Sequence, residues 1–446
     1  MSVSTRSLAA ALRQIAGPDP FSDDPAALSA AAIDGISPRW LVRPAANEQV
    51  AAVLALAREE GLAVAARGSG SALALGWPPA RLDVVLDLAG LNGVLEYNAD
   101  DLTVMVQAGL TAGELNGRVL GPRRQWLPVD PPGWSARTLG GMVATGASGP
   151  LRTRYGTLRD LLLGVRFVQA DGVVTWGGAR VVKSVTGYDV PKLMVGSLGT
   201  LGVLVEFALR LHPRPDVERT WLVAFPALEA LGAAVAEVLD SSLQPARLEF
   251  LDTPALQALG LDRGPLGLAV SFGSVEDAVR EQGARLAELA GRFAGRLAGR
   301  LGGQVSPLGE GFWETWDGAL EPGKGGVVLQ VASLPSRLAD TVRAIAGSAE
   351  GAGAGTVVTG NAALGVFRVL VTEAGVPATA AMIEHLRCRL LEAGGHVVVQ
   401  RGPRALREQV DPWGPLDPGA LALMREVKTT FDPTGVLNCG RFVGRL

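Results

Sequence analysis

The sequence has 446 residues, of which 48% are hydrophobic and 19% are charged. A chain of this length is too long for one hydrophobic core of ordinary size, so at least two domains are expected. The apolar content is high enough for packed cores and excludes global disorder. A formal net charge of -3 provides no positive field for phosphate backbones or anionic lipids, so nucleic acid is not an expected partner.

Targeting signals and metal-binding patterns are absent from the sequence. Residues 1–14 lack the apolar core of a signal peptide, and no segment runs for about eighteen apolar residues, so we expect a cytoplasmic protein without a transmembrane segment. The two cysteines, Cys388 and Cys439, are too few for a disulfide framework, a four-cysteine zinc site or an iron–sulfur cluster. The three histidines show no metal-ligand spacing, so no metal site is predicted.

The first half of the chain predicts helices and strands around glycine loops. Residues 1–33 carry no recognisable chemistry and are expected to form a peripheral arm. Helices are predicted for 48–60 and 111–119, strands for 62–66, 84–88, 102–107 and 199–211, and a hairpin for 160–176. Residues 213–215, with two prolines, then mark a domain boundary.

The second half alternates strands with full helices. The predicted strands are 220–225, 266–272, 326–332, 365–372 and 395–400. The predicted helices are 227–239, 275–300, 336–346 and 378–393. This alternation indicates an α+β layer with helices over one face of a sheet.

The first glycine segment, Arg67-Gly68-Ser69-Gly70-Ser71, follows a predicted strand. Glycines allow consecutive backbone amides to converge on an anion, and the two serines add hydroxyl donors, so the segment suits a pyrophosphate. A plain glycine-rich turn fits this segment equally well when it is considered alone.

A nicotinamide-binding Rossmann fold is an alternative for the same segment. Gly68 and Gly70 follow a strand, and Asp87 lies about twenty residues further on, as that fingerprint requires. Against it, Leu73 occupies the third glycine position, and Trp77-Pro78-Pro79 falls where the phosphate-facing helix has to continue. The pattern therefore disfavours this fold.

The second glycine segment runs from Thr138 to Gly149, shortly after Asp130-Pro131-Pro132. Its small residues, including Gly140, Gly141 and Thr145, cannot fill a core but allow the backbone to approach a flat ring system closely. Interleaved apolar residues argue against a flexible loop. The segment therefore predicts one wall of a dinucleotide cleft.

A third segment, Arg180 to Val203, again packs glycines around hydroxyl residues. With three such segments in this order, the sequence resembles the FAD-binding domain shared by vanillyl-alcohol oxidase and D-lactate dehydrogenase type flavoproteins, the PCMH type. More narrowly, residues 183–203 and the ending Phe431 to Arg441 are similar to the FAD-binding E subunits of bacterial glycolate oxidases, also called glycolate dehydrogenases. The resemblance covers residues 35–214 and the end of the chain well, and is loose between them.

This resemblance implies an α+β fold in which a two-subdomain PCMH-type FAD-binding domain precedes an α+β sheet-and-helix second domain. The implied bounds are 34–214 for the FAD domain, 215–425 for a substrate, cap or partner-interface domain, and 426–446 for a segment that returns to the flavin domain. Residues 67–76 contain no histidine of the kind that carries covalent flavin in some relatives, so non-covalent FAD is implied. The implied cofactor-binding residues are Arg67, Gly68, Ser69, Gly70, Ser71, Pro131, Thr138, Gly140, Gly141, Thr145, Gly149 and Val203.

The same resemblance implies a redox subunit of a heteromeric glycolate or other 2-hydroxy acid dehydrogenase. The catalytic subunits of such enzymes carry a His-x-Gly-Asp-Gly-Asn-x-His run, which this sequence lacks, so the chain is not expected to oxidise a hydroxy acid alone. The implied partners are a catalytic flavin subunit and an iron–sulfur subunit, through which the protein would associate with a membrane surface. With too few cysteines for a cluster, the chain has to pass electrons to a partner's cluster, a quinone or oxygen.

Three arginines are candidates for binding a substrate carboxylate. Arg401, Arg404 and Arg407 lie around a Gly-Pro turn and could pair with a carboxylate through two hydrogen bonds, although solvated surface arginines are an equal interpretation. Two other functions stay open, namely an assembly subunit with structural FAD or none, and a stand-alone FAD oxidase of another alcohol or acid. Retention of all three glycine segments favours the redox subunit, because a scaffold without cofactor has no physical need for them.

Overall fold

A computed structural model describes residues 3–17, 20–179, 187–261, 264–296, 304–323 and 325–446. The α-helices are α1 (Val3–Ala16), α2 (Pro25–Ala30), α3 (Asn47–Glu59), α4 (Ala112–Glu114), α5 (Leu139–Thr145), α6 (Arg152–Tyr155), α7 (Leu158–Leu161), α8 (Val190–Met194), α9 (Leu228–Asp240), α10 (Thr253–Ala258), α11 (Glu276–Arg296), α12 (Phe312–Ala319), α13 (Leu338–Ala352), α14 (Val376–Leu391), α15 (Arg404–Gln409) and α16 (Pro418–Phe431). The β-strands are β1 (Phe21–Ser22), β2 (Trp40–Val42), β3 (Val64–Arg67), β4 (Val84–Asp87), β5 (Val94–Asn98), β6 (Thr103–Gln107), β7 (Gln125–Trp126), β8 (Leu162–Val168), β9 (Val174–Gly178), β10 (Val203–Arg210), β11 (His212–Pro213), β12 (Val217–Phe225), β13 (Arg247–Leu251), β14 (Leu266–Ser274), β15 (Gln304–Leu308), β16 (Val327–Ala332), β17 (Gly355–Asn361), β18 (Val366–Thr372) and β19 (His396–Arg401).

The first half of the chain contains two larger sheets that share one hydrophobic core. Strands β1 to β4 form a sheet in the order β1-β2-β4-β3, in which β2, β4 and β3 are parallel. A second, antiparallel sheet has the order β5-β6-β10-β8-β9. Helix α1 contributes Leu8, Leu12 and Ala16 to the same core, so the N-terminal residues pack into the first half of the molecule.

The second half is built on an eight-stranded sheet in the order β15-β12-β14-β13-β17-β18-β16-β19, with antiparallel pairing throughout. Successive residues of a strand point to opposite faces of a sheet. On one face, buried residues such as Phe250 and Phe367 pack with α9, α11, α13 and α14 in a second core. Their chain neighbours Glu249 and Arg368 therefore point to the other face, which is turned toward the first half.

Side-chain caps define where the helices bordering this open face begin. The Thr138 hydroxyl accepts a hydrogen bond from the Gly141 N–H at 3.3 Å and starts α5 at the second glycine segment. The Asp252 carboxylate accepts one from the Ala255 N–H at 2.8 Å and starts α10 directly after β13. A cap of this kind stabilises a helix by about 1 kcal/mol.

The C-terminal segment leaves the second half and packs on the first. The Val64 N–H donates to the Val436 carbonyl at 2.8 Å, and the Asn438 N–H donates back to the Val64 carbonyl at 2.8 Å. On α16, the Lys428 ammonium donates to the Thr200 carbonyl at 2.8 Å. The chain end is thereby joined to β3, the strand that leads into the first glycine segment.

The α+β class predicted from the sequence is confirmed, with helices over one face of the second sheet. The predicted helix 48–60 corresponds to α3, and the hairpin 160–176 corresponds to β8 and β9. The prediction for 111–119 holds only at its start, because α4 continues into a π-helical turn over Leu115–Leu120. Strands β13, β15 and β17 and helices α12 and α16 were not predicted. Residues 180–186 of the third glycine segment and 297–300 of the helix predicted for 275–300 lie outside the described residues.

Within the described ranges, no helix combines the length and the apolar character needed to cross a lipid bilayer.

Candidate active-site cleft

A cleft of about 830 Å³ lies between the glycine segments of the first half and the open face of the eight-stranded sheet. We call its first side the backbone wall, formed by residues 69–75, 131–133 and 145–150. The opposite side, the side-chain wall, is formed by Glu249, Gln330, Thr359, Asn361, Arg368, Gln400 and Arg401. Ligand and cofactor pockets usually occupy about 300–1,000 Å³, so the cleft is large enough for a cofactor and a small substrate.

Glycines bring the parts of the backbone wall closer together than any other residue would allow. A β-carbon on Gly149 would lie 1.9 Å from the Asp130 carbonyl oxygen, and one on Gly68 would lie 1.9 Å from the Thr138 hydroxyl oxygen. A real β-carbon cannot approach these atoms so closely, so both positions require glycine for steric reasons. The two contacts join the first glycine segment, the Asp130 loop and the second glycine segment into one surface.

The backbone wall has the properties that an extended dinucleotide requires. The backbone N–H groups of Ser69, Gly70 and Ser71 donate hydrogen bonds to none of the described residues. Unpaired amides that converge in a glycine loop form an anion-binding concavity. The residues of this wall therefore fit a pyrophosphate-containing cofactor such as FAD, with the small residues at 145–149 leaving room for a flat ring.

The sequence-predicted cofactor residues divide into two groups. Ser69, Gly70, Ser71, Pro131, Thr145 and Gly149 line the cleft. The other predicted residues lie behind it and support it: Gly68 packs on Thr138, the Gly140 N–H donates to the Ala108 carbonyl at 2.8 Å, Gly141 is held by the Thr138 cap, and Val203 is buried in β10.

Arg67, at the start of the first glycine segment, forms an ion pair with Asp87. The Arg67 guanidinium lies 3.4 Å from the Asp87 carboxylate, which also pairs with Arg43 at 2.9 Å. Asp87 is 3% exposed, and its other oxygen caps the turn that follows β4. The acidic residue of a Rossmann fingerprint has to be free for a ribose, and a helix has to follow Gly70; neither condition is met in this structure.

Arg441, which the sequence did not single out, holds the first glycine segment from the C-terminus. Its guanidinium donates to the carbonyl oxygens of Leu73 at 2.5 Å and Leu75 at 3.0 Å. Burial lowers the pKa of Arg441 to about 10, with Asp34 acting in the opposite direction, so the group is still protonated at neutral pH. The returning chain end thus fixes part of the backbone wall.

A buried ion pair joins the two halves beside the cleft. Arg407 on α15 is completely buried and pairs with Asp34, which lines the cleft. Arg407 also donates to the Gly76 carbonyl at 2.7 Å and to the Gly402 carbonyl at 3.0 Å. Such a pair stabilises the protein only while both partners are present, because either charge alone would be buried without compensation.

The side-chain wall carries an arginine cluster near two carboxylates, Glu321 and Asp317. Arg368 donates to the Leu320 carbonyl at 2.5 Å and lies 3.8 Å from Glu321, and Arg401 lies 3.7 Å from the same carboxylate. Arg137 of the first half belongs to this cluster, since Glu321 is one of the charges that act on it, and its buried Nε makes no hydrogen bond to the described residues. Burial lowers the pKa of Arg137 and Arg368, while Glu321 opposes the shift. The cluster therefore has an unpaired guanidinium N–H that can bind an anion.

The three arginines predicted to bind a carboxylate occupy different places, and Arg407 is the one that is buried in the ion pair with Asp34. Arg401 lies in the cleft with about 40% of its side chain exposed. Arg404 pairs with Glu408 on α15 at 2.7 Å and donates to the Asp34 carbonyl at 3.2 Å, beside the cleft rather than in its lining. The structure therefore brings Arg401, but not Arg404, together with Arg137 and Arg368.

A second charged group lies where the Asp130 loop meets β13. Arg247 pairs with Asp130 at 2.9 Å and with Glu218, and the Leu151 N–H donates to Asp130 at 2.9 Å. Two residues along the strand, Glu249 faces the cleft and is 4% exposed. Burial, followed by the charge of Asp130, raises the pKa of Glu249 well above its ordinary value. The site therefore contains a carboxyl group that holds its proton more tightly than usual.

Most residues of the side-chain wall are not predicted from the sequence. Glu249 and Asn361 lie on β13 and β17, which were not predicted, and Arg368 lies on a predicted strand but was not singled out. The alternation in Arg247-Leu248-Glu249-Phe250-Leu251 was the available signal for a half-buried strand.

No cluster of three or more histidine, cysteine or acidic residues suited to a metal ion occurs among the described residues.

Two family models match the chain. A FAD binding domain model matches residues 38–178, and the model for the C-terminal domain of FAD linked oxidases matches residues 214–442. Glycolate oxidase subunit GlcD of Bacillus subtilis is 30% identical over 276 residues, which are 61% of this chain and 58% of that protein. D-lactate dehydrogenase of Archaeoglobus fulgidus is 29% identical over 420 residues, covering 91% of each chain.

Solved structures with the same fold are more distant in sequence. A structure of p-cresol methylhydroxylase with substrate bound matches with a TM-score of 0.78 at 16% identity, covering 99% of this chain and 97% of that one. An alkyldihydroxyacetonephosphate synthase matches with a TM-score of 0.73 at 18% identity. The predicted PCMH-type fold and the predicted resemblance to glycolate oxidase subunits are confirmed.

Proposed function

This chain belongs to the family of FAD-linked oxidases and is an FAD-dependent oxidoreductase, and we propose that it oxidises a small 2-hydroxy acid held in the cleft between its two halves. The observation that carries this proposal is the juxtaposition of the two walls. The backbone wall offers unpaired amides and close glycine packing for FAD, and the side-chain wall faces it with Arg368, Arg401 and a protonatable carboxyl group.

Different residues of the chain bind the substrate carboxylate and line the rest of the cleft. FAD, when bound, supplies a two-electron acceptor for a hydride from a carbinol carbon. Arg368 and Arg137 provide charge-assisted hydrogen bonds for the substrate carboxylate, and Arg401 adds positive charge at the more exposed end of the cluster. Trp316 and Pro322 line the cleft on the same side and exclude water from it.

The substrate class is supported by the relatives and by the charge of the cleft. The relatives include a glycolate oxidase subunit and a D-lactate dehydrogenase, whose names both refer to 2-hydroxy acids. In the described part of the cleft, three arginines lie near the two carboxylates Glu321 and Asp317, so a carboxylate ligand would balance the remaining positive charge.

We further propose that the protein acts as one subunit of a heteromeric complex. With two cysteines in the sequence, the chain cannot hold an iron–sulfur cluster of its own, so the electrons pass to an external acceptor. A catalytic flavin subunit and an iron–sulfur subunit are the proposed partners, so the oxidation proposed for the cleft takes place in the assembled complex and not in the chain alone. This proposal extends the sequence-based expectation.

Absorption spectroscopy of the purified chain tests the function directly. Flavin bands that appear in the supernatant after acid precipitation would demonstrate non-covalent FAD. Glycolate, D-lactate and D-2-hydroxyglutarate are then added anaerobically to the chain alone and to the chain co-purified with its partners, with L-lactate as the stereochemical control. Loss of the visible flavin absorbance with one acid identifies the substrate.

The remaining outcomes separate the alternatives. Bleaching only in the presence of partners assigns the chemistry to the complex. A flavin that no 2-hydroxy acid reduces in either preparation would overturn the substrate class, and a chain that cannot be reconstituted with FAD would favour an assembly role.

A further inference from the structure

Glu249 is a buried carboxyl group in the cleft with one oxygen that has no partner. The residue is 4% exposed and lines the cleft from β13, and its buried Oε1 makes no hydrogen bond to any described residue. Buried polar atoms in folded proteins are nearly always paired with protein or ordered water. An unpaired carboxyl oxygen at the edge of a ligand cleft is therefore available to a ligand.

The neighbouring polar groups are already engaged with each other. Asn361 lies directly opposite Glu249 on β17, but its amide donates to the Thr153 hydroxyl at 2.7 Å and accepts from the Leu364 N–H at 3.1 Å. Asp130 accepts hydrogen bonds from Arg247 at 2.9 Å and from the Leu151 N–H at 2.9 Å. Glu249 is thus the carboxyl group in this region that keeps free hydrogen-bonding capacity.

Charged groups face Glu249 from each element packed around it. Burial and then Asp130 raise its pKa, and Arg152 on α6, Arg247 on β13 and the Asn361 amide oppose that shift without cancelling it. A carboxyl group with a raised pKa is a better proton acceptor once ionised than an ordinary surface carboxylate. The Nε of Arg152 is also buried without a hydrogen bond to the described residues, so this end of the cleft can accept a polar ligand.

Extending the proposed oxidation of a 2-hydroxy acid, on which this inference rests, we infer that Glu249 accepts the proton of the substrate hydroxyl group. The arginine cluster then holds the carboxylate of the same molecule. Glu249 is a catalytic residue in this arrangement, whereas Asp130 and Arg247 act on it through their charges.

The register of the sheet gives the spacing between the two ends of the substrate. Glu249 opposes Asn361, Asn361 opposes Val366 on β18, and Arg368 lies two residues further along the same face. With strands about 4.8 Å apart and residues about 3.4 Å apart along a strand, the two backbone positions are about 12 Å apart. Both side chains extend from these positions into the same cleft.

The proposed step is balanced. The O–H bond breaks and its proton moves to the ionised Glu249 carboxylate, while the electron pair of that bond forms the second C–O bond of the 2-oxo acid. The C–H bond of the carbinol carbon breaks at the same time, and the hydride is taken up by the FAD that the proposed function supplies. The proton returns to solvent after the product leaves.

The test compares Glu249→Gln with wild type in the FAD-loaded protein, together with its partners if these are required. The rate of anaerobic flavin reduction by the best acid is measured against pH, and the affinity for oxalate is measured by its perturbation of the flavin spectrum. We expect the reduction rate to fall by about 100-fold or more, as for the loss of a general base. FAD content and oxalate affinity are expected to change by less than about threefold, because glutamine has nearly the same shape and oxalate has no hydroxyl proton.

The pH profile and two further variants exclude a structural explanation. The wild-type rate should rise about tenfold per pH unit below the Glu249 pKa and level off above it, while the Glu249→Gln rate should be flat over that range. Glu249→Asp should restore part of the rate and of its pH dependence. Glu218→Gln disturbs the same Arg247 network from outside the cleft, and it should leave the pH profile in place.

Failure of this inference differs from failure of the proposed function. Equal reduction rates and equal pH profiles for wild type and Glu249→Gln would overturn the role of Glu249 while leaving the substrate class intact. Wild-type flavin that no 2-hydroxy acid reduces would overturn the substrate class, and the role of Glu249 would fall with it.

Discussion

The two walls of the cleft recognise their ligands by different means. The backbone wall is built from glycines, serines and main-chain amides that lie close together in the sequence. The side-chain wall is built from charged and polar side chains on five strands of one sheet. A cofactor site that is formed by backbone can be predicted from short contiguous motifs. A substrate site that is formed by side chains depends on residues that only the folded sheet brings together.

The largest effect on ligand binding is expected from adding one methyl group to the backbone wall. In Gly149→Ala the new β-carbon would meet the Asp130 carbonyl, so the second glycine segment has to move away from the Asp130 loop. We expect FAD to bind at least about 100-fold more weakly, which corresponds to about 2.7 kcal/mol. FAD retained after gel filtration measures the effect.

Gly232→Ala is the matched control for this variant. A β-carbon at Gly232, in α9 of the second half, would meet no heavy atom within 4 Å. The control should retain FAD like wild type. Equal FAD occupancy in both variants would show that the backbone wall does not hold the cofactor.

The buried ion pair between Arg407 and Asp34, which joins the two halves, is expected to affect the stability of the protein. Arg407→Met leaves Asp34 buried without its partner, and removal of one member of a buried pair lowers the free energy of unfolding by about 3–5 kcal/mol. Urea denaturation measures the loss. The double variant Asp34→Asn with Arg407→Met should recover much of it, because no uncompensated charge then remains; a double variant as unstable as the single one would contradict the pair's role.

Substitutions in the side-chain wall should affect the substrate and spare the cofactor. Arg368→Gln removes a largely buried charge, and loss of a hydrogen bond to a charged group costs about 1.5–3 kcal/mol. We therefore expect KM to rise about 10- to 100-fold with FAD content unchanged.

Arg401→Gln should raise KM by only about 2- to 5-fold, because its side chain is about 40% exposed. Arg219→Gln, an exposed arginine paired with Glu276, is the control in steady-state assays. A lower FAD content in Arg368→Gln would contradict the division of labour between the walls.

The smallest expected effect is on the pH dependence of stability. The folded pKa of Glu249 is raised, so the folded state keeps this proton at pH values where the unfolded chain has lost it. The stability linked to this group is therefore complete below the ordinary pKa of 4.5 and declines as the pH rises from there through the raised value. Glutamine does not titrate, so Glu249→Gln should gain stability relative to wild type across that window in urea titrations. A difference that does not change with pH would contradict the raised pKa.

Much of the fold could be predicted because its signals are local. The glycine segments, the helix at α3 and the long apolar strands β10, β14 and β18 each follow from neighbouring residues alone. Two strands with weaker local signals were missed: β17 includes Gly355 and Gly360, a residue type that is depleted in strands, and the alternation in β13 covers only five residues.

The sequence by itself determined the cofactor class and the glycine segments of the backbone wall. A residue such as Gly68 or Gly149 can be recognised in the sequence because the close backbone packing at that position leaves no room for a side chain. Only the tertiary structure decided which side chains face that wall. Arg247 meets Asp130 across 117 residues, Asn361 meets Thr153 across 208, and Arg407 meets Asp34 across 373. Such contacts depend on strand register and on the burial of one sheet face under helices, and a shift of one residue would turn Glu249 and Arg368 away from the cleft.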